Sequence, residues 1–199
     1  MEHGELRGGV VVRAIRAEEW QRVRESRLES LRDPVAELAF LETYEEAVAK
    51  PDSFWEKRAA GAAEGTRERQ QFIAETADGE WVGTVVVLLE KAGALDVFGS
   101  VVEREQAHLV GVFVRPEYRG GAVGVTGALF EAALAWAWGA GVDRVRLFVH
   151  ERNTRAKAFY RKAGFVASGV TLPDPRGLRA GSWSTWSSTW ASVGGRRAL

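Results

Sequence analysis

The 199-residue chain is expected to fold as a mixed β-sheet with helices on its faces, an α/β protein in the α+β sense. Three stretches predict this. Residues 71–76 and 81–89 are β-rich runs flanking Ala77-Asp78-Gly79-Glu80, and Asp-Gly between such runs signals a hairpin. Residues 108–138 read as a strand, a glycine-rich loop and a long apolar helix. Residues 143–170 then alternate strand, helix and strand.

Taken in order, Val10-Val11-Val12-Arg13-Ala14-Ile15 reads as the first strand. Trp20, Val23, Leu28 and Leu31 are spaced for one face of a helix that Asp33-Pro34 ends. A second helical stretch is expected at 35–48, closed by Lys50-Pro51-Asp52. A third opens at Phe54 and fades into Gly61-Ala62-Ala63-Glu64-Gly65, a flexible loop by composition. After the hairpin, residues 92–105 form a loop of weak pattern. The strand 108–114 leads through the turn Arg115-Pro116-Glu117-Tyr118 into Arg119-Gly120-Gly121-Ala122-Val123-Gly124. The helix that follows, at about 123–138, has Glu131 as its one charged residue. Apolar nearly all round, it should lie buried against a sheet until Gly139-Ala140-Gly141 ends it. Residues 143–149 alternate charged and apolar side chains as a strand does. A helix at 153–163, closed by Gly164, and a strand at 165–170 follow.

The end of the sequence is unusual. Residues 181–190 carry three of the chain's eight tryptophans in a Ser/Thr background. As a helix, Trp183, Trp186 and Trp190 would share a face, but Ser and Thr are poor helix formers. As a strand, Trp183 and Trp186 face opposite ways. A last edge strand is the expectation, with an aromatic interface patch as the alternative. One domain is expected over 1–199, with 1–9 a flexible extension and 174–199 an irregular Trp/Ser-rich tail.

Composition narrows the function. Basic and acidic residues balance at 27 each, so no global charge draws the chain to nucleic acid or an acidic membrane. No cysteine is present, which excludes disulfides, thiolate zinc sites and a cysteine nucleophile. Met1-Glu2-His3-Gly4-Glu5 lacks the basic start of a signal peptide, and the apolar run Val10-Val11-Val12 is too short for a signal-peptide core or a membrane span. A cytoplasmic protein is expected, with no metal.

The glycine loop is the first candidate site. Gly-Gly-x-x-Gly at the start of a helix serves a dinucleotide site, another phosphate-binding loop or a plain turn. Residues 115–119 separate strand from glycines, which does not suit the tight turn of a dinucleotide fold. No Lys-Ser/Thr follows, so a Walker-type nucleotide site is excluded.

Position for position, the stretch resembles the GCN5-related N-acetyltransferase (GNAT) superfamily. Its acyl-CoA signature of Arg or Gln, two residues, Gly, one residue, and Gly or Ala falls on Arg119, Gly120, Gly121, Ala122, Val123 and Gly124. Ala122 stands where the family usually has Gly. Val112-Phe113-Val114-Arg115-Pro116-Glu117-Tyr118 is similar to the family's central strand and turn. Asn153-Thr154-Arg155-Ala156-Lys157-Ala158-Phe159-Tyr160-Arg161-Lys162-Ala163-Gly164-Phe165 is similar to its Asn, Ala, Phe-Tyr and Gly-Phe pattern.

The resemblance implies a largely antiparallel, twisted sheet of six to seven strands with helices on both faces. It implies acetyl-CoA as co-substrate, its pyrophosphate capped by the N–H groups of 120–124, with Arg119 adding charge. The backbone of Val112, Phe113 and Val114 would pair with the pantetheine amides and present an N–H to the oxyanion. Tyr160 would protonate the departing thiolate, and Asn153 would cap its helix and contact CoA. In the histone-acetylating branch a Glu near the start of the central strand drains the amine's proton. That position here is His108, and Glu75, Glu103, Glu105 or water are the other candidates. A second branch's Glu, five residues before the Asn, is here Phe148.

The expected partners are a small-molecule or peptide amine acceptor and, as an oligomeric option, a second copy in a homodimer. Trp55, Phe98 and several Glu residues in the variable segments suit a cationic amine with an apolar body. The alternatives to an enzyme are a catalytically weak acyl-CoA-binding module and an interaction protein that works through its Trp-rich tail.

Overall fold

The structure is a computed structural model and describes residues 5–6, 9–120, 124–177 and 181–189. The strands are β1 (Glu5–Leu6), β2 (Val10–Ala14), β3 (Arg69–Glu75), β4 (Trp81–Glu90), β5 (Gln106–Val114), β6 (Arg144–His150), β7 (Val166–Pro173) and β8 (Ser182–Thr189). They form one sheet in the order β1-β2-β3-β4-β5-β6-β8-β7. Only the β5–β6 pair is parallel; the other neighbours run antiparallel. The sheet therefore has one strand more than expected, the two-residue β1.

The helices are α1 (Trp20–Leu31), α2 (Tyr44–Val48), α3 (Asp52–Ala60), α4 (Val125–Gly139) and α5 (Thr154–Lys162). They divide between the two faces, as helices do when a sheet is apolar on both. On one side α4 buries Val125, Leu129, Phe130, Ala133, Leu134 and Ala137. These pack with Val85, Val87, Leu109 and Leu147 into the larger core. On the other, Val23 of α1 and Trp55 and Ala59 of α3 pack with Ile15, Ile73 and Phe113. Burial of each such large apolar side chain is worth about 1.5–3 kcal/mol.

Four expectations need correction. Residues 35–48 are not one helix. A 3-10 turn, Ala36–Leu38, comes first, and α2 starts afresh at Thr43. The Thr43 hydroxyl accepts from Glu46 N–H at 3.2 Å while Glu46 accepts from Thr43 N–H at 2.8 Å, a complete capping box. The intervening carbonyls of Glu37 and Phe40 accept from Arg176 at 2.8 and 3.2 Å, so a helix there has no need to continue. The Gly61–Gly65 segment is tied down as well. Gln71 N–H donates to the Ala62 carbonyl and Glu64 N–H to that of Ile15, both at 2.8 Å, with Ala62 and Ala63 buried.

Within the expected tail, residues 182–189 form a regular strand that is not at an edge. β8 pairs with β6 through Trp183↔His150 and with β7 through Trp183↔Leu172, so it lies inside the sheet and β7 forms the edge. Trp183 and Trp186 do face opposite ways, and both are 4% exposed. Trp186 belongs to the larger core, with Arg161 of α5 over its ring. A tail that works as an exposed tryptophan patch is thereby excluded for these two residues; Trp190 lies outside the described residues. Of the expected N-terminal extension, Glu5–Leu6 pairs with Val10 and Val11.

Candidate functional site

The site begins with a break in the sheet. β5 and β6 pair only at Ala107↔Val145 and His108↔Arg146. Beyond those pairs the two strands diverge, and a cavity of about 650 Å³ opens between residues 109–114 on one side and 147–149 on the other. A bulge sits on the diverging part. Thr84 opposes Phe113 and Val86 opposes Val110, leaving Gly111 and Val112 against the single residue Val85. Gly111 has φ +63°, the left-handed conformation that such a bulge requires. Its signal in the sequence was an isolated glycine inside an otherwise apolar strand.

At one end of the cavity the chain turns through Pro116–Tyr118 into the glycine loop. Gly120 and Gly124 have φ +68° and +66°, and Gly124 is the N-cap of α4. Gly121, Ala122 and Val123 lie outside the described residues. Arg119 does not reach toward the loop. Its Nε donates to the Val114 carbonyl at 2.5 Å, and its guanidinium pairs with Asp33. That charge is matched by Asp33. Arg155 of α5 stands there instead. One of its terminal nitrogens is 3.8 Å from where a Cβ on Gly120 would lie.

Asn153 caps α5, its Oδ1 accepting from Ala156 N–H at 3.1 Å. Its Nδ2 donates to the Leu38 carbonyl at 3.2 Å. One side chain therefore fixes both a helix start and the opposite wall of the cavity. Asn153→Ala is expected to cost roughly 1 kcal/mol in urea unfolding, the usual value of an N-cap. Two turns later Tyr160 packs among Phe130, Phe159 and Phe165 and lines the cavity. Burial pushes its phenol up to about 12, so it remains a neutral donor at any ordinary pH.

His108 is not a surface residue. It is 2% exposed, lines the cavity, and has Nδ1 3.0 Å from Glu90 Oε1. Glu90 also accepts from Arg146 at 2.7 and 2.8 Å and from Gln106 at 2.9 Å, and Arg146 reaches Asp96 at 3.1 Å. Burial raises the Glu90 carboxyl, but the hydrogen bonds from His108 and Arg146 outweigh it and hold it down to about 2. Glu75 is engaged by Arg13, Arg22 and Trp81, away from the cavity. Glu103 and Glu105 are exposed and do not line it either. None of the three is placed to serve as the base.

The remaining wall comes from the segment at 35–42, the loop at Val97 and Phe98, and β8. Phe98 packs edge-on against Phe148, with ring centroids 4.7 Å apart, and lies near Trp183. Trp183 Nε1 donates to Asp174 at 2.8 Å, and Asp174 pairs with Arg176, which holds the Glu37 and Phe40 carbonyls. Trp55, expected near an acceptor, is instead fully buried in the smaller core. Val112, Phe113, Val114, Arg119, Gly120, Asn153, Tyr160 and His108 thus meet at one cavity.

Among the described residues no helix is long and apolar enough to cross a membrane. No group of three or more His, Cys, Asp or Glu is placed to hold a metal there.

The fold places the chain among the acyl-group transferases. The acetyltransferase (GNAT) family model matches residues 20–165, and the chain belongs to that family. No curated protein sequence matches the chain. Among solved structures it is similar to the Mycobacterium smegmatis RimJ in complex with CoA-disulfide, at 21% identity and TM-score 0.68, covering 97% of this chain and 89% of that one. The Thermoplasma acidophilum PaiA N-acetyltransferase in complex with coenzyme A is 18% identical, with TM-score 0.66, covering 91% and 99%. Arabidopsis thaliana NAA60 in complex with a bisubstrate analogue is 17% identical, with TM-score 0.64, covering 90% and 97%. At these identities the structural likeness shows the fold.

Proposed function

We propose that the protein is an acetyl-CoA-dependent N-acetyltransferase that acetylates a primary amine by direct attack in a ternary complex. The observation that carries this reading is the coincidence, at one cavity, of a splayed strand, a helix entered through glycines and a buried phenol. Acetyl-CoA supplies the activated acetyl group as a thioester. The residues present fit it. Gly120 and Gly124 leave room for close backbone approach at the α4 N-terminus, and Arg155 adds the charge that Arg119 does not. Residues 112–114 offer an unpaired strand edge to the pantetheine amides.

In this reading the bulge at Gly111 and Val112 supplies a backbone N–H to the thioester oxygen on which charge develops. His108 takes the amine's proton. Because the Glu90 carboxylate accepts at Nδ1, that nitrogen carries the hydrogen and Nε2 keeps its lone pair for the amine. Tyr160 gives its proton to the departing sulfur. The apolar surroundings that raise the phenol also raise the basicity of a thiolate beside it, which keeps the transfer favourable. With no cysteine in the chain, the amine attacks the thioester directly.

Calorimetric titration with acetyl-CoA and CoA is expected to give micromolar binding of both, and free-thiol release should then appear with primary amines. The absence of heat at high micromolar ligand would remove the reading.

A further inference from the structure

The cavity wall carries five arginines, Arg27, Arg58, Arg69, Arg119 and Arg155, against two carboxylates, Asp33 and Glu42. This reverses the expectation of a site shaped for a cationic acceptor. Pairing sorts the five. Asp33 is taken by Arg119. Glu42 is shared between Arg27, at 2.8 Å, and Lys50. Arg155 stands at the glycine loop, where the donor's phosphates belong. Arg58 and Arg69 have no ion pair and no side-chain hydrogen bond among the described residues.

These two form a group with Arg27. Burial holds the Arg58 guanidinium below its ordinary value, and repulsion from Arg27 and then Arg69 adds to the effect, with Glu42 opposing. Arg27 and Arg58 are half-buried and Arg69 is exposed at the rim, and clustering like charges there opposes folding through self-repulsion and, for the first two, desolvation. An anion bound there offsets both.

Strand register says where that anion lies relative to the chemistry. Arg69 opposes Leu88, and Leu88 opposes His108, so the three form one row on one face of the sheet. Two strand spacings put the backbones of Arg69 and His108 about 10 Å apart. Both side chains stand on that face and line the cavity, and a spacing of about 10 Å suits a small amino acid held at one end and presented at the other. The surface between and around them is apolar, with Val86, Leu88, Val97, Phe98 and Phe148.

We propose that the acceptor is a small amino carboxylate with an apolar side chain, its carboxylate held by Arg58 and Arg69 and its amine directed at His108. The proposal rests on the N-acetyltransferase reading above. The bond that forms joins the amine nitrogen to the acetyl carbon, and the carbon–sulfur bond breaks. His108 receives the amine proton and Tyr160 supplies one to the sulfur, so the products are the N-acetyl amino acid and CoA.

The test separates carboxylate recognition from turnover. N-acetylleucine and N-acetylleucinamide are titrated into the protein with and without CoA, and thiol release is followed with leucine, leucinamide and isoamylamine. The acid is expected to bind at least tenfold more tightly than the amide and leucine to be the best acceptor. Arg69→Gln and Arg58→Met should each reduce the acid-to-amide ratio about tenfold while leaving acetyl-CoA affinity in place, with Arg58→Lys recovering part of it. Equal affinity for acid and amide, no affinity for either, or a ratio that survives both substitutions overturns the proposal. So does preference for a peptide beginning with aspartate over the free acids. Failure of acetyl-CoA binding strikes the N-acetyltransferase reading instead, because the titrations without CoA still read the arginines.

Discussion

Tyr160→Phe is expected to lower kcat by about a hundredfold or more while leaving acetyl-CoA affinity within about twofold. The substitution removes one oxygen and keeps the ring, so the packing with Phe130, Phe159 and Phe165 survives. What disappears is the one hydroxyl that the α5 helix brings to the cavity beside the splayed strand. Because the phenol has been pushed up to about 12, it stays protonated through the whole working range. The wild-type rate should therefore show no alkaline limb from Tyr160 below that value. Single-turnover thiol release together with calorimetry distinguishes the outcomes. Lost binding with unchanged turnover would contradict the role given to this residue.

Glu90→Ala is expected to destabilise the protein by roughly 3 kcal/mol at neutral pH. It leaves the buried Arg146 with Asp96 as its remaining carboxylate and strips His108 and Gln106 of theirs. The same magnitude follows from titration. Lowering the carboxyl from 4.5 to about 2 corresponds to roughly 3 kcal/mol. A group depressed in the folded state contributes its full stability above its unfolded value and loses it as pH falls through its folded value. The gap between wild type and variant, read by urea unfolding, should be wide at pH 7 and narrow from about 4.5 downward toward 2. A gap that does not change with pH would show that the Glu90 carboxylate contributes by packing alone.

Glu90 also illustrates what the sequence left hidden. The β3–β4 hairpin, the β5-loop-α4 passage and the α5 motif were legible because their signals are local: turn residues, apolar periodicity and glycine spacing. Glu90 is merely a charge at the end of an apolar run until register sets it opposite Gln106 and diagonal to His108. His108 was found only by counting back from Arg119, and its burial came from contacts distant in sequence. The segment at 35–48 has the composition of a helix, yet it is divided by Arg176, more than a hundred residues away. Nothing local in the sequence showed that Asp33 would pair with Arg119 or that α5 would bring Arg155 beside Gly120. The position of β8 was the largest surprise, since nothing local states whether a strand ends up inside a sheet or at its border.

That position has a consequence for the order in which the molecule comes into being. On a growing chain β6 and β7 are made before the strand that separates them, so both wait with open edges until residues 182–189 have been synthesised. β8 then supplies Trp183, and the loop before it supplies Arg176, which together secure the wall at 35–42. The wall at 35–42 is thus secured only after β8 has been made, and a nascent chain short of β8 holds the glycine loop without the contacts that fix that wall.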